Sequence, residues 1–530
     1  MVGQSIPFAR LGQATHTAFQ DICPPFSNFQ FIDNLLGGEC SAVRRLFSLA
    51  RREDKGQTLI LEDIDPVGAV RDEITELYTL FPGYQCTNLK RLTFWSRSCA
   101  KLRDMRYLTE ADLLGYAILK QDSIPAQSSK WHIFESVFKK YDDPHNCVPN
   151  EPVFAVQCGS QEYHLNGVLY CQQNGLNKSC AQVALRSLLS RILRDQDICY
   201  SRINKVVQQC NPDFVPGEGL ESSQIRIILE SFGIKYDDID YIATNKSGVS
   251  QPIPYSKVLY AGIENGLGGL LGFELSTTGV KGDKHIIPFY GHTFNQDTWV
   301  PRASIAYFRV GDSTRYISSE EWMSSLIGHD DNFGSNYCVP RRYIEPSQVK
   351  YVVALRPPNT AYSAISAEAI AADCLYSTLN TLEHIDAYWI QRLIYHINSQ
   401  DVVLRTLYVN RNQYVAHLRE SADWKGLTED TSILDNFASS LPEHLWMVEV
   451  SIPELFPANY RKLGEIILDA CVSLDPFPPK VQLWILARLP GLYLINQSPI
   501  IQGPTSFMHR ESAMKSHIPL YRGLNATCMP

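Results

Sequence analysis

The sequence predicts an α+β protein in three parts, a central region flanked by two accessory ones. Three observations predict it. At 530 residues the chain is too long for one hydrophobic core. Breaker clusters then mark the joints: YDDPHNCVPN (141–150) gathers Asp, Asn and two prolines, and RPPNT (356–360) places two prolines behind the strand-like YVVAL. Between these clusters, helical periodicity comes first and strand-like runs follow. The expected parts are residues 1–150, 151–345 and 346–530.

Composition bounds the possibilities. Hydrophobic residues make up 45%, aromatics 11% and charged residues 20%, which suits packed cores and contradicts disorder or a fibrous repeat. A formal charge of -8 supplies no basic field to attract phosphates, so no nucleic-acid partner is expected. The opening MVGQSIPFARLGQATHTAFQ lacks the pattern of a secretory signal, and no apolar run approaches the ~18 residues of a membrane span. A cytoplasmic protein with no membrane partner is therefore expected. Its 14 cysteines fall far below disulfide-scaffold density, and a reducing cytosol would keep them as thiols.

The elements follow in order. The first part mixes the strand-like TLILEDI (58–64) with the helical AVRDEITELYTLF (69–81), which predicts an α/β accessory domain. The central part opens with the glycine- and asparagine-containing loop CQQNGLNKSC (171–180). From Ala181 the apolar residues Ala184, Leu185, Leu188, Leu189 and Ile192 recur at three- and four-residue spacing, as an amphipathic helix requires. A second helix is expected within GLESSQIRIILESFGIKY (219–236), and a strand, glycine turn and strand within KVLYAGIENGLGGLLGFEL (257–275). The strand KHIIPFYGHTF (284–294) comes next. The last part reads as a mixed α+β accessory domain, with strands in YVVAL, LWMVEV and VQLWIL and helices in AYWIQRLIYHI and NYRKLGEIILDA.

Cys180 stands at the start of the central helix. There the positive end of the helix dipole and the unpaired first-turn amides stabilise a thiolate, the form of cysteine that acts as a nucleophile. The same amides point to where a tetrahedral oxyanion forms, and a side-chain amide of the preceding loop could complete the hole. Gln173 is the first choice, with Asn174 and Asn177 close by. A buried cysteine at the start of a core helix explains the segment equally well, so the case needs a base. The strand 284–294 offers His285 at its beginning and His292 near its end.

This order of cysteine helix, second helix, strands and a strand opening on histidine is similar to the papain superfamily of cysteine peptidases. It most resembles the bacterial type that removes double-glycine leaders. The resemblance covers about residues 168–343 and favours His285 as the base. It also implies an aspartate at the end of the next strand to orient the imidazole, a place Asp330 takes in SSLIGHDDNFGSNY (324–337). Asp297, Asp331 and Asn295 remain alternatives. For Asp330 to serve, the insertion NQDTWVPRASIAYFRVGDSTRYISSEEW (295–322) must be looped out.

The expectation is a cysteine peptidase that hydrolyses a peptide or isopeptide bond through Cys180, His285, Asp330 and Gln173. A deamidase or acyltransferase with the same residues, or a silent peptide-binding domain, are the alternatives. A polypeptide substrate is expected, with the flanking parts as surfaces for a protein partner. No cofactor is assigned. No metal is assigned either, since His145, Cys147, Cys158, His164 and Cys171 have ligand chemistry but no spacing that pins a tetrahedral site.

Overall fold

The computed structural model describes residues 8–22, 29–51, 55–125, 129–140, 146–247, 253–274, 284–294, 304–305, 315–420, 438–474, 483–496, 505–508 and 517–521. Its architecture is α+β, with helices packed on several sheets whose strand pairs are mostly antiparallel. Among the described residues no helix is long and apolar enough to cross a membrane.

The first sheet takes its strands in sequence order: β1 (Ala14–Asp21), β2 (Thr58–Ile64), β3 (Gln85–Trp95), β4 (Leu113–Ser123) and β5 (Lys130–Phe138). Helices α1 (Gln30–Leu36), α2 (Ser41–Ala50) and α3 (Ala69–Leu80) lie in its connections. Every neighbouring pair is antiparallel, which corrects the expected α/β unit to α+β. Periodicity identifies a strand and a helix but carries no strand direction.

The central segment begins with β6 (Asn146–Cys147) and the hairpin β7 (Val153–Cys158) and β8 (Gln161–Asn166). Helices α4 (Cys180–Leu189), α5 (Tyr200–Cys210) and α6 (Ser222–Ser231) follow, then β9 (Lys235–Asp240), α7 (Tyr241–Ser247) and α8 (Tyr255–Glu264). After them come β10 (Gly269–Glu274), β11 (Lys284–Phe294), β12 (Ser304–Ile305), β13 (Arg315–Ser318), β14 (Met323–Asp330), β15 (Gly334–Pro340) and β16 (Val349–Arg356). The antiparallel sheet runs β15-β14-β11-β10-β16-β9, with β6 also on β11. Helix α4 lies across it, and Leu185, Leu188 and Leu189 pack against Leu270, Ile286 and Val353. Each such buried leucine contributes about 1.5–3 kcal/mol relative to an exposed one.

Two expectations for this segment are corrected. KVLYAGIE forms helix α8, because Tyr255, Val258, Leu259 and Ile263 repeat at helical spacing and all are buried. The glycines after it end a helix and do not turn a hairpin: the Leu267 and Gly268 amides both donate to the Gly262 carbonyl, at 3.1 and 2.8 Å. Gly268 sits at φ +85, and a Cβ there would stand 2.4 Å from the Phe289 carbonyl oxygen, so only glycine fits. The second correction concerns YVVAL. As part of β16 it pairs with β10 and β9 inside the central sheet and not in the last part of the chain.

The described strands of the insertion read between His285 and Asp330 belong to a different sheet from the central one. Strand β13 pairs in parallel with β17 (Val403–Asn410) of a third sheet, ordered β12-β13-β17-β18-β20-β21-β22-β23. Here β18 is His444–Ser451, β19 is the separate two-residue strand Arg461–Lys462, and β20 is Gly464–Asp469. Strands β21 (Trp484–Leu489), β22 (Leu492–Ile495) and β23 (Thr505–Met508) complete the sheet. Among the helices against it are α9 (Ala364–Ser377) and, as expected, Tyr388–Ser399. The expected helix in NYRKLGEIILDA is β20 instead. Ile466 and Leu468 enter one core and Ile467 the core on the opposite face, so a two-sided strand presents the continuous apolar run of a buried helix.

Candidate active site

Cys180 is the first residue of α4, partly exposed at its mouth. The preceding Ser179 makes no side-chain cap, and the first intrahelical bond is Val183 N–H to the Ser179 carbonyl at 3.0 Å. The amides of Cys180, Ala181 and Gln182 therefore face the open positive end of the helix.

The rest of α4 is held from the first sheet. Arg186 is buried, donates to Glu135 Oε2 at 2.5 Å and to the Phe134 carbonyl at 3.0 Å, and reaches both Asp197 oxygens at 2.8 Å. One turn earlier Gln182 donates to Asn204 Oδ1 at 3.2 Å, and Asn204 donates to Glu76 at 2.9 Å. These bonds fix the rotation of the helix and so the direction in which Cys180 points.

His285 is the second residue of β11. Its cross-strand partner on β10 is Phe273, whose ring meets the imidazole edge-on at 5.7 Å between centroids. The Cys180 thiol stands close enough to the imidazole to raise its basicity. Nε2 lies 3.4 Å from Asp330 Oδ2 and 3.3 Å from Asp331 Oδ1. The slightly longer Asp330 contact has hydrogen-bond geometry, whereas Asp331 stands off axis and makes none. Direction outweighs a tenth of an ångström, so Asp330 orients the ring and Asp331 adds charge. Asp330 ends β14, and its other oxygen accepts from the Asn332 and Phe333 amides at 2.8 and 3.2 Å. That turn clamps the carboxylate toward His285.

The electrostatics follow from the geometry. Burial alone would lower the His285 pKa, but the hydrogen bond to Asp330, the nearby Cys180 thiol and the charges of Asp331 and Asp330 raise it to about 10. The imidazole is thus held as a cation at neutral pH. Burial raises Asp331 to about 6 against the attraction of His285, and Asp330 adds repulsion. Burial would also raise Asp330, but the bond and charge of His285 hold it below the usual carboxylate value. A cavity of about 10 Å³, at the lower limit for one water, is lined by Cys180, Cys171, Ser187, Pro288, His329 and Asp331, among others.

His292 is fully buried toward the other end of β11, about 23 Å from His285 at strand rise, with Nε2 2.6 Å from Glu264 Oε1. Asp297 and Asn295 lie outside the described residues, as does His145. Asn174 is spent in its own loop, accepting from the Leu176 and Asn177 amides at 2.9 and 3.3 Å, and Asn177 donates to Tyr200. Gln173 is half-buried and its amide makes no hydrogen bond among the described residues. Cys158 contacts Thr93, His164 pairs with Glu110 and Cys171 contacts Arg186, at three separate places.

Sequence patterns did not announce Phe273, Arg186 or Glu135 as parts of this site. Only the register of β10 on β11 puts Phe273 beside the imidazole, and Glu135 comes from a sheet whose chemistry was unreadable. No protein-family model matches the chain, and no curated protein matches it in sequence.

Proposed function

We propose that the chain is a papain-like cysteine peptidase whose nucleophile is Cys180 and whose base is His285. What carries the proposal is one arrangement: His285 set beside Cys180, at an uncapped helix start, and hydrogen-bonded to a clamped Asp330. Nε2 is turned to the carboxylates, which leaves Nδ1 for the sulfur. In the resting ion pair Nδ1 already holds the proton given up by the thiol, and the thiolate attacks a peptide or isopeptide carbonyl carbon. The carbonyl electron pair moves to the oxygen, which the Cys180 amide and a rotated Gln173 amide receive. As the tetrahedral species collapses, Nδ1–H protonates the leaving amine and a thioester remains. Water then gives a proton to His285 and attacks the thioester, releasing a carboxylic acid and the thiol. Asp330 holds the ring throughout and stabilises the imidazolium.

The test is chemical. Iodoacetamide at neutral pH should alkylate Cys180 well ahead of the other described cysteines, and Cys180→Ala should remove all turnover of a peptide library. Ordinary slow labelling at Cys180, with library cleavage unchanged in the alanine variant, would sink the proposal.

A further inference from the structure

Three clusters of potential metal ligands occur among the described residues: Glu73 with Asp122 and His132, Cys147 with Glu264 and His292, and His285 with Asp330 and Asp331. The first two already contain a protein cation. Lys120 Nζ lies 2.7 Å from Glu73 and 3.4 Å from Asp122, and Arg405 Nε lies 2.7 Å from Glu264. The third has only the charge of its own His285: two carboxylates face one imidazolium, and no lysine or arginine pairs with either aspartate among the described residues.

Asp331 gives an independent sign of a missing partner. Its side chain is only 4% exposed, yet neither carboxylate oxygen makes a hydrogen bond. The amides of Asp331 and Asn332 face it without reaching bonding geometry. A buried carboxylate that accepts no hydrogen bond is costly, and what Asp331 lacks is a bonded donor or a metal ion.

The spacing indicates which cation. Zinc-class ions hold nitrogen and oxygen ligands at about 2.0–2.1 Å, so two ligands of a tetrahedral centre stand about 3.3–3.4 Å apart. Nε2 of His285 lies 3.4 Å from Asp330 and 3.3 Å from Asp331, and all three ligand atoms lie within 4.8 Å of one another. A charge-assisted N–H to carboxylate bond would be about 2.7–2.9 Å. Nε2 is thus too far for strong bonds to either aspartate and well spaced for sharing an ion with both.

We infer that His285, Asp330 and Asp331 form a three-ligand site for a divalent cation of the zinc class, held on Nε2 of the imidazole. The site stands on geometry alone. Binding releases the proton of Nε2, since the cation takes that lone pair.

The experiment uses the full chain, freed of metal by a chelator and dialysed against Zn2+. One zinc per chain is expected in the unaltered protein and in Cys180→Ala, with at least tenfold weaker binding in Asp331→Asn and His285→Ala. Undiminished binding in a folded Asp331→Asn, or loss of binding in Cys180→Ala, overturns the site. Should Asp331→Asn fail to fold, Co2+ in the unaltered chain decides: a tetrahedral spectrum without a thiolate charge-transfer band supports the site, and a thiolate band overturns it. A Cys180 that is unreactive even without metal defeats the peptidase proposal and leaves the zinc stoichiometry to judge the site.

Discussion

His285 keeps its proton because two carboxylates and a thiol surround one ring, and each can be varied separately. Asp331→Asn removes a charge 3.3 Å from Nε2 and should lower the His285 pKa from its value near 10. Loss of one adjacent opposite charge corresponds to about one to three units. Imidazole resonances followed by NMR during a pH titration would measure it, and an unmoved His285 would deny Asp331 its electrostatic role. Stability should follow the same group. The folded pKa of His285 is raised above its ordinary 6.5, so its contribution is complete below 6.5 and disappears as pH rises toward 10. Denaturant melts should lose stability across that interval, and His285→Ala should flatten the loss. Asp331 acts lower on the scale: its pKa rises from 3.8 to about 6, so its contribution is present below 3.8 and gone above 6. At this scale Cys180 could be placed from apolar spacing, whereas the resemblance to the papain superfamily chose His285 over His292 and Asp330 over its neighbours. Asp331 could only be weighed, since periodicity does not say whether the last or the next residue of a strand end meets a neighbouring ring.

Helix α4 is an element whose outer end carries the thiol and whose inner turn is bolted to another sheet. Arg186→Ala would leave Glu135 and Asp197 buried without their shared cation. Breaking a buried pair by removing one partner costs about 3–5 kcal/mol, and urea unfolding would register it. A loss below about 1 kcal/mol would show that solvent reaches the site. The sequence disclosed where α4 begins and its apolar face, although Ile192 of that spacing lies in the turn beyond its last residue, Leu189. It misled at α8 and at β20, for opposite reasons. In α8 a short apolar stretch runs straight into glycines and so imitates a strand before a turn, while β20 is apolar on both faces and so imitates a helix. In each case the deciding fact is which neighbours cover the second face, and those neighbours lie far away in the chain.

The whole molecule is joined through buried charge. Glu135 of the first sheet meets Arg186, Lys257 of α8 meets Glu368 of α9 at 2.5 Å, and Glu264 meets Arg405 of the third sheet. These joints predict that the central segment does not stand alone. A fragment of residues 151–357 would retain Arg186 without Glu135, Lys257 without Glu368 and Glu264 without Arg405, and should give the poorly dispersed NMR spectrum of a chain without fixed packing. Sharp dispersion from that fragment would show the flanking sheets to be dispensable. The breaker clusters pointed to the regions where one sheet gives way to the next, but they could not show that YVVAL stays with the central sheet or that the described strands of the insertion belong to another.

Strand β11 lies between β10, which precedes it, and β14, which follows it. During synthesis the thiol of Cys180 emerges first, then the imidazole, and the two aspartates only afterwards. On the proposed chemistry, a partly made chain carries a cysteine with no oriented base beside it. The growing polypeptide is thereby spared its own nucleophile until the hairpin of β14 and β15 has closed over the ring.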